Sequence, residues 1–193
     1  MPPVSLDLIA LYRKPSQLRD WLTCYKGRTD GTEPLVASYA DIVKAMLARF
    51  LHDHGDRLAA RSPIDCITVV PSSERPGLHP LHALLNELPL SVPVTTLLQR
   101  GPGELAHTKA SRDGYIHIGR PLAPQRVLLV DDVFTTGARV NSAAHALAAA
   151  GHQLAGTLII ARRVNPDYNE HSAAFWERQT AQKFSWQASP VIN

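Results

Sequence analysis

The sequence predicts an α/β fold, a mainly parallel sheet flanked by helices, with a small appended segment at the C-terminus. Three observations carry this. Short, mainly apolar and β-branched runs at 64–70, 126–130 and 154–161 read as strands covered on both faces. Stretches of helical period separate them. An alanine-rich helix at 141–150, stopped by Gly151, joins the last two runs, and strand, helix, strand in that order predicts a right-handed parallel crossover.

Taken in order, residues 1–11 lack the basic stretch and long apolar core of a signal peptide, and no run is long enough to span a membrane, so a soluble, cytoplasmic protein is expected. Residues 12–31 are polar, basic and dotted with turn formers. Across 36–51, Val36, Tyr39, Ile42, Val43, Met46, Leu47 and Phe50 recur at helical spacing, and Ser38 and Asp41 suit the helix start. The run at 64–70 lies between Pro63 and Pro71. Helical spacing returns at 78–88 and closes at Pro89, and 92–98 is strand-like, rich in Val and Thr. Residues 99–114 are polar, basic and glycine-containing, which predicts a long mobile loop, with a short strand after it at 115–118. From Pro166 onward the alternation stops. Tyr168, Phe175, Trp176, Phe184 and Trp186 mark a segment expected to pack over one end of the sheet, as anchors rather than a base-stacking surface. Three parts follow: an N-terminal element at 1–34, a core at 35–165 and an aromatic segment at 166–193.

Composition bounds the function. A chain of 193 residues with 45% hydrophobic and 19% charged residues can bury a full core, which argues against disorder. The formal net charge of +3 fits a small anionic ligand as readily as nucleic acid and selects neither. Cys24 and Cys66 lie too far apart for a zinc ribbon and read as packed side chains in a reducing compartment. His52 and His54 do not share a helix face. His79 and His82 could, but lack a third ligand, so the histidines read as structural or surface groups.

The chemistry sits in 127–139. An apolar strand runs into Asp131 and Asp132, then Val133 and Phe134, then the turn Thr135, Thr136, Gly137, then Ala138, Arg139 and a helix. The carboxyl end of a strand in an open α/β sheet is where ligands bind. Gly137 lets the backbone turn sharply, the helix aims unpaired N–H groups at that spot, and the threonines add hydroxyls. Such a cradle suits a phosphate monoester. Two adjacent carboxylates would repel that anion, and suit sugar hydroxyls or a divalent cation instead. A ribose 5-phosphate unit satisfies every element; the plainer reading is a capped turn.

This segment resembles the ribose-phosphate signature of the type I phosphoribosyltransferases: an apolar strand, two acids, two apolar residues, two hydroxyl residues, glycine and a small residue. The resemblance implies that Asp131 and Asp132 hold the ribose hydroxyls of phosphoribosyl pyrophosphate, that Val133, Phe134, Thr135, Thr136, Gly137, Ala138 and Arg139 complete the binding loop, and that Mg2+ lies near the two acids, directly or through water or ribose hydroxyls. More of the chain, roughly 11–163, is similar to the ComF-like branch. The stretch from Leu11, Tyr12, Arg13 and Lys14 to Lys26, Gly27 and Arg28 resembles its opening, where a Lys-Tyr-Arg-Gly type element follows a short helix. Val70 and Pro71 stand at the strand before its pyrophosphate loop, and 100–112 resembles its flexible loop. That branch is associated with DNA uptake.

By the same resemblance Ser72, Ser73, Glu74 and Arg75 form the pyrophosphate loop, and Arg75, Lys109 and Arg112 are the catalytic candidates that meet the leaving group. The implied activity is transfer of phosphoribose between phosphoribosyl pyrophosphate, or a ribonucleotide, and an unidentified nitrogenous base. A homodimer is expected because this fold often forms one; no membrane contact is expected, and the weak charge argues against nucleic acid without excluding it. A sensor that binds without catalysis, or a ComF-like accessory protein, are the alternatives. The chain departs from the family in four places. It lacks the ComF-like zinc cysteines and the usual basic run of the pyrophosphate loop, and Arg139 stands where Thr is frequent. Thr135 occupies a position where purine-salvage members often place a carboxylate, which argues against hypoxanthine or guanine.

Overall fold

Four parallel strands align the apolar runs so that the two acids fall at one end of the sheet. The computed structural model describes residues 6–28, 30–72, 77–106, 108–119 and 123–187. Strand β1 (Leu6–Tyr12), β2 (Cys66–Val69), β5 (Arg126–Phe134) and β6 (Gln153–Arg163) form a sheet of order β1-β6-β5-β2, parallel throughout. Two short strands, β3 (Leu98–Arg100) and β4 (Tyr115–His117), pair antiparallel as a separate hairpin.

Alternation along β5 divides the core. Leu128 and Val130 face one cluster with Val43, Leu47, Phe50 and Leu58 of α2 (Ser38–Arg61), Leu81 and Leu85 of α3 (Pro80–Asn86), and Leu22 of α1 (Gln17–Cys24). Val127 and Leu129 face the other, with Val140, Ala143 and Leu147 of α4 (Ala138–Ala149) and with Leu98 and Tyr115 of the hairpin. Helices therefore cover both faces, which explains why 127–130 and 158–161 are apolar on both faces of the sheet.

The structure corrects several boundaries. Strand β1 was not anticipated, because Asp7 interrupts its apolar run; Asp7 is buried against Arg61 at the far end of α2, with Nη1 donating to Oδ1 at 2.9 Å. Helix α2 runs ten residues beyond the expected end at 51, to Arg61. Its buried positions continue through His54 and Leu58, but Asp53, Gly55 and Asp56 dilute the pattern. Helix α1 lies in the stretch read as turns. Ser16 caps it, accepting from the Arg19 amide at 3.1 Å. The strand expected at 92–98 shrinks to a single parallel bridge from Val94 to Ile67 before β3 begins. Strand β5 extends past 130 to Phe134, so Asp131 and Asp132 sit inside the ladder rather than after it. Helix α4 starts at Ala138, not at 141.

After β6 come a 3-10 turn at Pro166–Tyr168 and α5 (Glu170–Thr180), none of whose residues is buried. Its aromatic rings meet cations instead: Phe175 lies 4.7 Å from the Arg162 guanidinium and Trp176 lies 5.8 Å from that of Arg13. Trp186 packs on the core cluster, and its carbonyl is 2.6 Å from Nε2 of His54. No helix among the described residues is long and apolar enough to cross a membrane.

Candidate functional site

The end of β5 delivers Asp131 and Asp132 to a nearly dry position, 2% and 0% exposed. Their amides and carboxyls interlock, with the Asp132 amide donating to Asp131 Oδ1 at 2.9 Å. Past them the chain turns through Thr135, Thr136 and Gly137. Gly137 caps α4 with φ of 83°, the left-handed region that glycine occupies without steric cost. A Cβ at Gly137 would lie 2.7 Å from Cζ of Phe134, so the turn is closed on that ring as well. The Asn141 amide returns to the Gly137 carbonyl at 2.9 Å, which starts the helix.

A cleft of about 320 Å³ opens over this turn. Asp131, Thr135, Thr136 and Gly137 form one wall, and Leu105 and Ala106 of the 99–114 segment form the other. The positive end of a twelve-residue helix faces it. Asp131 borders this cleft. Asp132 does not: it turns toward α1, where its Oδ2 accepts from the Tyr25 hydroxyl at 2.9 Å and ion-pairs with Lys26. His79 Nε2 stands 3.7 Å from the same oxygen. Because His79 Nδ1 accepts from the Leu81 amide at 3.1 Å, the ring proton belongs on Nε2 and points at the acid.

Burial and charge split the two acids. Burial pushes Asp131 above the usual carboxylate range, and neighbouring Asp132 adds to it against the pull of Arg139, 3.6 Å away. Burial would do the same to Asp132, but Lys26, His79 and Arg139 outweigh it and hold that carboxyl below its usual value. Burial, reinforced by Asp132, raises Tyr25 well above its ordinary value, so its hydroxyl remains a donor. One oxygen of each acid, Asp131 Oδ2 and Asp132 Oδ1, is buried without a hydrogen-bond partner among the described residues. An unsatisfied buried acceptor is costly, and a ligand hydroxyl or a cation would relieve it. Among the described residues no group of three His, Cys, Asp or Glu side chains could hold a metal ion. A cation here would need oxygen ligands from the bound molecule itself.

A second cleft of about 230 Å³ shares Val133, Thr135 and Arg139 with the first, and Ser72, Tyr12 and Lys26 also line it. Ser72 is the one residue of the expected pyrophosphate loop that can be placed, since Ser73, Glu74 and Arg75 lie outside the described residues. Lys109 and Arg112 are exposed and border neither cleft. The segment carrying them is tied down: the Ser111 amide donates to Ser142 Oγ at 2.9 Å and the Gly103 amide to the Asp113 carbonyl at 2.9 Å. Arg139 sits beside the cradle, donating to the Val133 carbonyl at 3.2 Å. Sequence reasoning missed Tyr25, His79 and Arg163. Lys14, Lys26 and Arg28 had carried a signal, through their resemblance to a family opening, and without an assigned role.

No protein-family model matches the chain. Two curated proteins are similar to it. HGPRTase-like protein 3 of Haloterrigena turkmenica is 26% identical over 148 residues, covering 74% of this chain and 78% of that protein. Hypoxanthine/guanine phosphoribosyltransferase of Methanosphaerula palustris is 24% identical over 149 residues, covering 75% and 81%. Among solved structures, one adenine phosphoribosyltransferase overlaps 62% of this chain and 69% of its own at a TM-score of 0.44 and 18% identity. That of Thermoanaerobacter pseudethanolicus overlaps 65% and 70% at a TM-score of 0.42 and 21% identity. The chain is thus an α/β protein with a mainly parallel sheet flanked by helices. Over about three quarters of its length it is similar to proteins named for phosphoribosyl transfer. Neither curated relative bears a ComF name.

Proposed function

We propose that the protein is a phosphoribosyltransferase that binds phosphoribosyl pyrophosphate in the cleft over Gly137. The observation that carries this is the pair of buried oxygens with no hydrogen-bond partner among the described residues, Asp131 Oδ2 and Asp132 Oδ1, beside a glycine turn that opens a helix. Phosphate oxygens suit the Thr135 and Thr136 hydroxyls and the amides of the first turn of α4. Ribose hydroxyls suit the two acids, which accept and cannot donate when ionised. The names of both curated relatives support the same activity.

In the reaction an acceptor nitrogen attacks ribose C1. The C1–N bond forms while the C1–O bond to pyrophosphate breaks with its electron pair, and the acceptor N–H proton passes to solvent or a nearby base. This chain supplies positioning and charge. Asp131 fixes the ribose from the wall of the cleft, with Asp132 behind it; the negative charge of the pair favours the positive ring of the transition state, and water is held off by the buried floor of the cleft. Mg2+ fits beside the two acids and would neutralise charge on the departing pyrophosphate. Arg75, Lys109 and Arg112 remain the cations proposed for that leaving group. The ComF-like assignment rests on the resemblance of 11–14, 26–28, 70–71, 100–112 and 128–138 and is subordinate to this reading.

The relatives' names put hypoxanthine and guanine first among acceptors, while Thr135 brings a hydroxyl and no carboxylate to the second cleft. The test is to incubate the protein with phosphoribosyl pyrophosphate, Mg2+ and single bases and to measure pyrophosphate release. Release that depends on one base supports the enzyme. Saturable binding without release for any base identifies a sensor instead, and absence of binding by calorimetry removes the proposal.

A further inference from the structure

The second cleft has a charge pattern that the ribose and its phosphate do not use. Lys14, Arg19, Lys26, Arg28, Arg139 and Arg163 all border it, against one acid, Glu33. Most of these cations have counter-charges: Lys26 with Asp132, Arg19 with Glu33, Arg28 with Asp30, Arg139 with Asp131. Lys14 and Arg163 differ. Neither has an acidic partner among the described residues. Burial depresses Lys14, and the positive charges of Arg163, Arg19 and Arg28 depress it further. Arg163 is positioned by the sheet, at the last register pair of β6 with Tyr12 of β1, and Lys14 follows two residues later on the connection to α1. Glu33, the one acid on the lining, is itself engaged by Arg19. The cleft therefore offers two cations without an acidic partner among the described residues, and it shares Val133, Thr135 and Arg139 with the ribose cradle.

We infer that this cleft is the acceptor site and takes a carboxylate-bearing N–H heterocycle, whose carboxylate meets Lys14 and Arg163. The inference rests on the proposed phosphoribosyltransferase function and narrows it to acidic acceptors. A neutral purine would leave the Lys14 and Arg163 charges without a counter-charge, whereas a carboxylate converts them into charge-assisted hydrogen bonds. The same cations could instead serve the pyrophosphate of the donor, so the test must separate donor from acceptor.

Two matched pairs of probes differ only by the carboxylate: orotate with uracil, and imidazole-4-carboxylate with imidazole. Each is titrated calorimetrically into protein saturated with ribose 5-phosphate, and phosphoribosyl pyrophosphate affinity is measured separately with Mg2+. The acid of at least one pair should bind about tenfold or more tightly than its neutral partner, the scale of one charge-assisted contact. Arg163→Gln should abolish that gap and leave phosphoribosyl pyrophosphate affinity unchanged. Lys14→Gln, on a connection outside the sheet, should shrink it and serves if the strand variant misfolds. No gap in either pair overturns the inference, as does a gap that survives both substitutions. So does Arg163→Gln weakening phosphoribosyl pyrophosphate while sparing the acid. Wild-type protein that binds neither ribose 5-phosphate nor phosphoribosyl pyrophosphate fails the broader function first, a separate outcome.

Discussion

Lys26 is ion-paired with Asp132 across 106 residues of sequence, and Tyr25 donates to the same oxygen, so the turn after α1 clamps the end of β5. The clamp keeps one of the two adjacent acids ionised, and leaves its Oδ1 buried without a hydrogen-bond partner among the described residues. Lys26→Met should remove the counter-charge and strand a buried carboxylate. Breaking a fully buried pair costs 3–5 kcal/mol, and because the Lys26 side chain is 23% exposed the loss should be smaller, about 2 kcal/mol. Urea denaturation at neutral pH measures it. A depressed carboxyl stabilises the fold above its unfolded pKa and loses that contribution as pH falls through the folded value, so the gap between parent and variant should close in acid.

Asp131 has the opposite sign. Its folded pKa lies above the unfolded one, so stability is fully present below the unfolded value and is lost as pH rises through the folded value. Asp131→Asn escapes that loss. The variant should melt above the parent at neutral pH, with the difference growing as pH rises from about 4 toward neutrality. It should also bind ribose 5-phosphate about tenfold more weakly, since an amide replaces an ionised acceptor for a sugar hydroxyl. A variant that is neither more stable nor weaker in binding would contradict the role given to this acid.

The cradle was legible because its signal is local. Strand, acids, hydroxyls, glycine and helix occur in thirteen consecutive positions, and the structure joins them in that order. What was hidden arrives from a distance. Tyr25, Lys26 and His79 converge on Asp132 from two turns more than fifty residues away along the chain, and nothing in their local sequence marks that meeting. Strand β1 was hidden for a related reason: Asp7 looks like a break in an apolar run until Arg61 folds back to neutralise it. The second half of α2 faded where Asp53 and Asp56 flank Gly55 on the solvent side.

Gly137→Ala tests the turn. At φ of 83° any side chain is strained, by about 1–2 kcal/mol, and the new methyl would press on the Phe134 ring. The expected loss is roughly 2 kcal/mol or more, with ribose 5-phosphate binding reduced because the amides of the first helical turn shift. Adding Phe134→Ala should relieve the contact but not the backbone strain, so the double variant should recover binding only in part. Full recovery would mean that the left-handed conformation is dispensable.

Ser142 connects the cradle to the segment that carries Lys109 and Arg112. Its hydroxyl is fully buried, donates to the Ala138 carbonyl at 2.8 Å and accepts from the Ser111 amide at 2.9 Å. Ser142→Ala removes the acceptor and leaves the Ser111 amide to find water, at a cost of about 1 kcal/mol. The larger effect should be local. Hydrogen exchange at Ser111 should accelerate, and limited proteolysis should cut within 101–114 sooner than in the parent. Ribose 5-phosphate meets this segment only at the Leu105 and Ala106 wall of the cleft, so its affinity should fall less. Phosphoribosyl pyrophosphate, which extends toward that segment, should bind more weakly. Equal losses for both ligands would place the fault in the cradle itself and detach the segment from the leaving group.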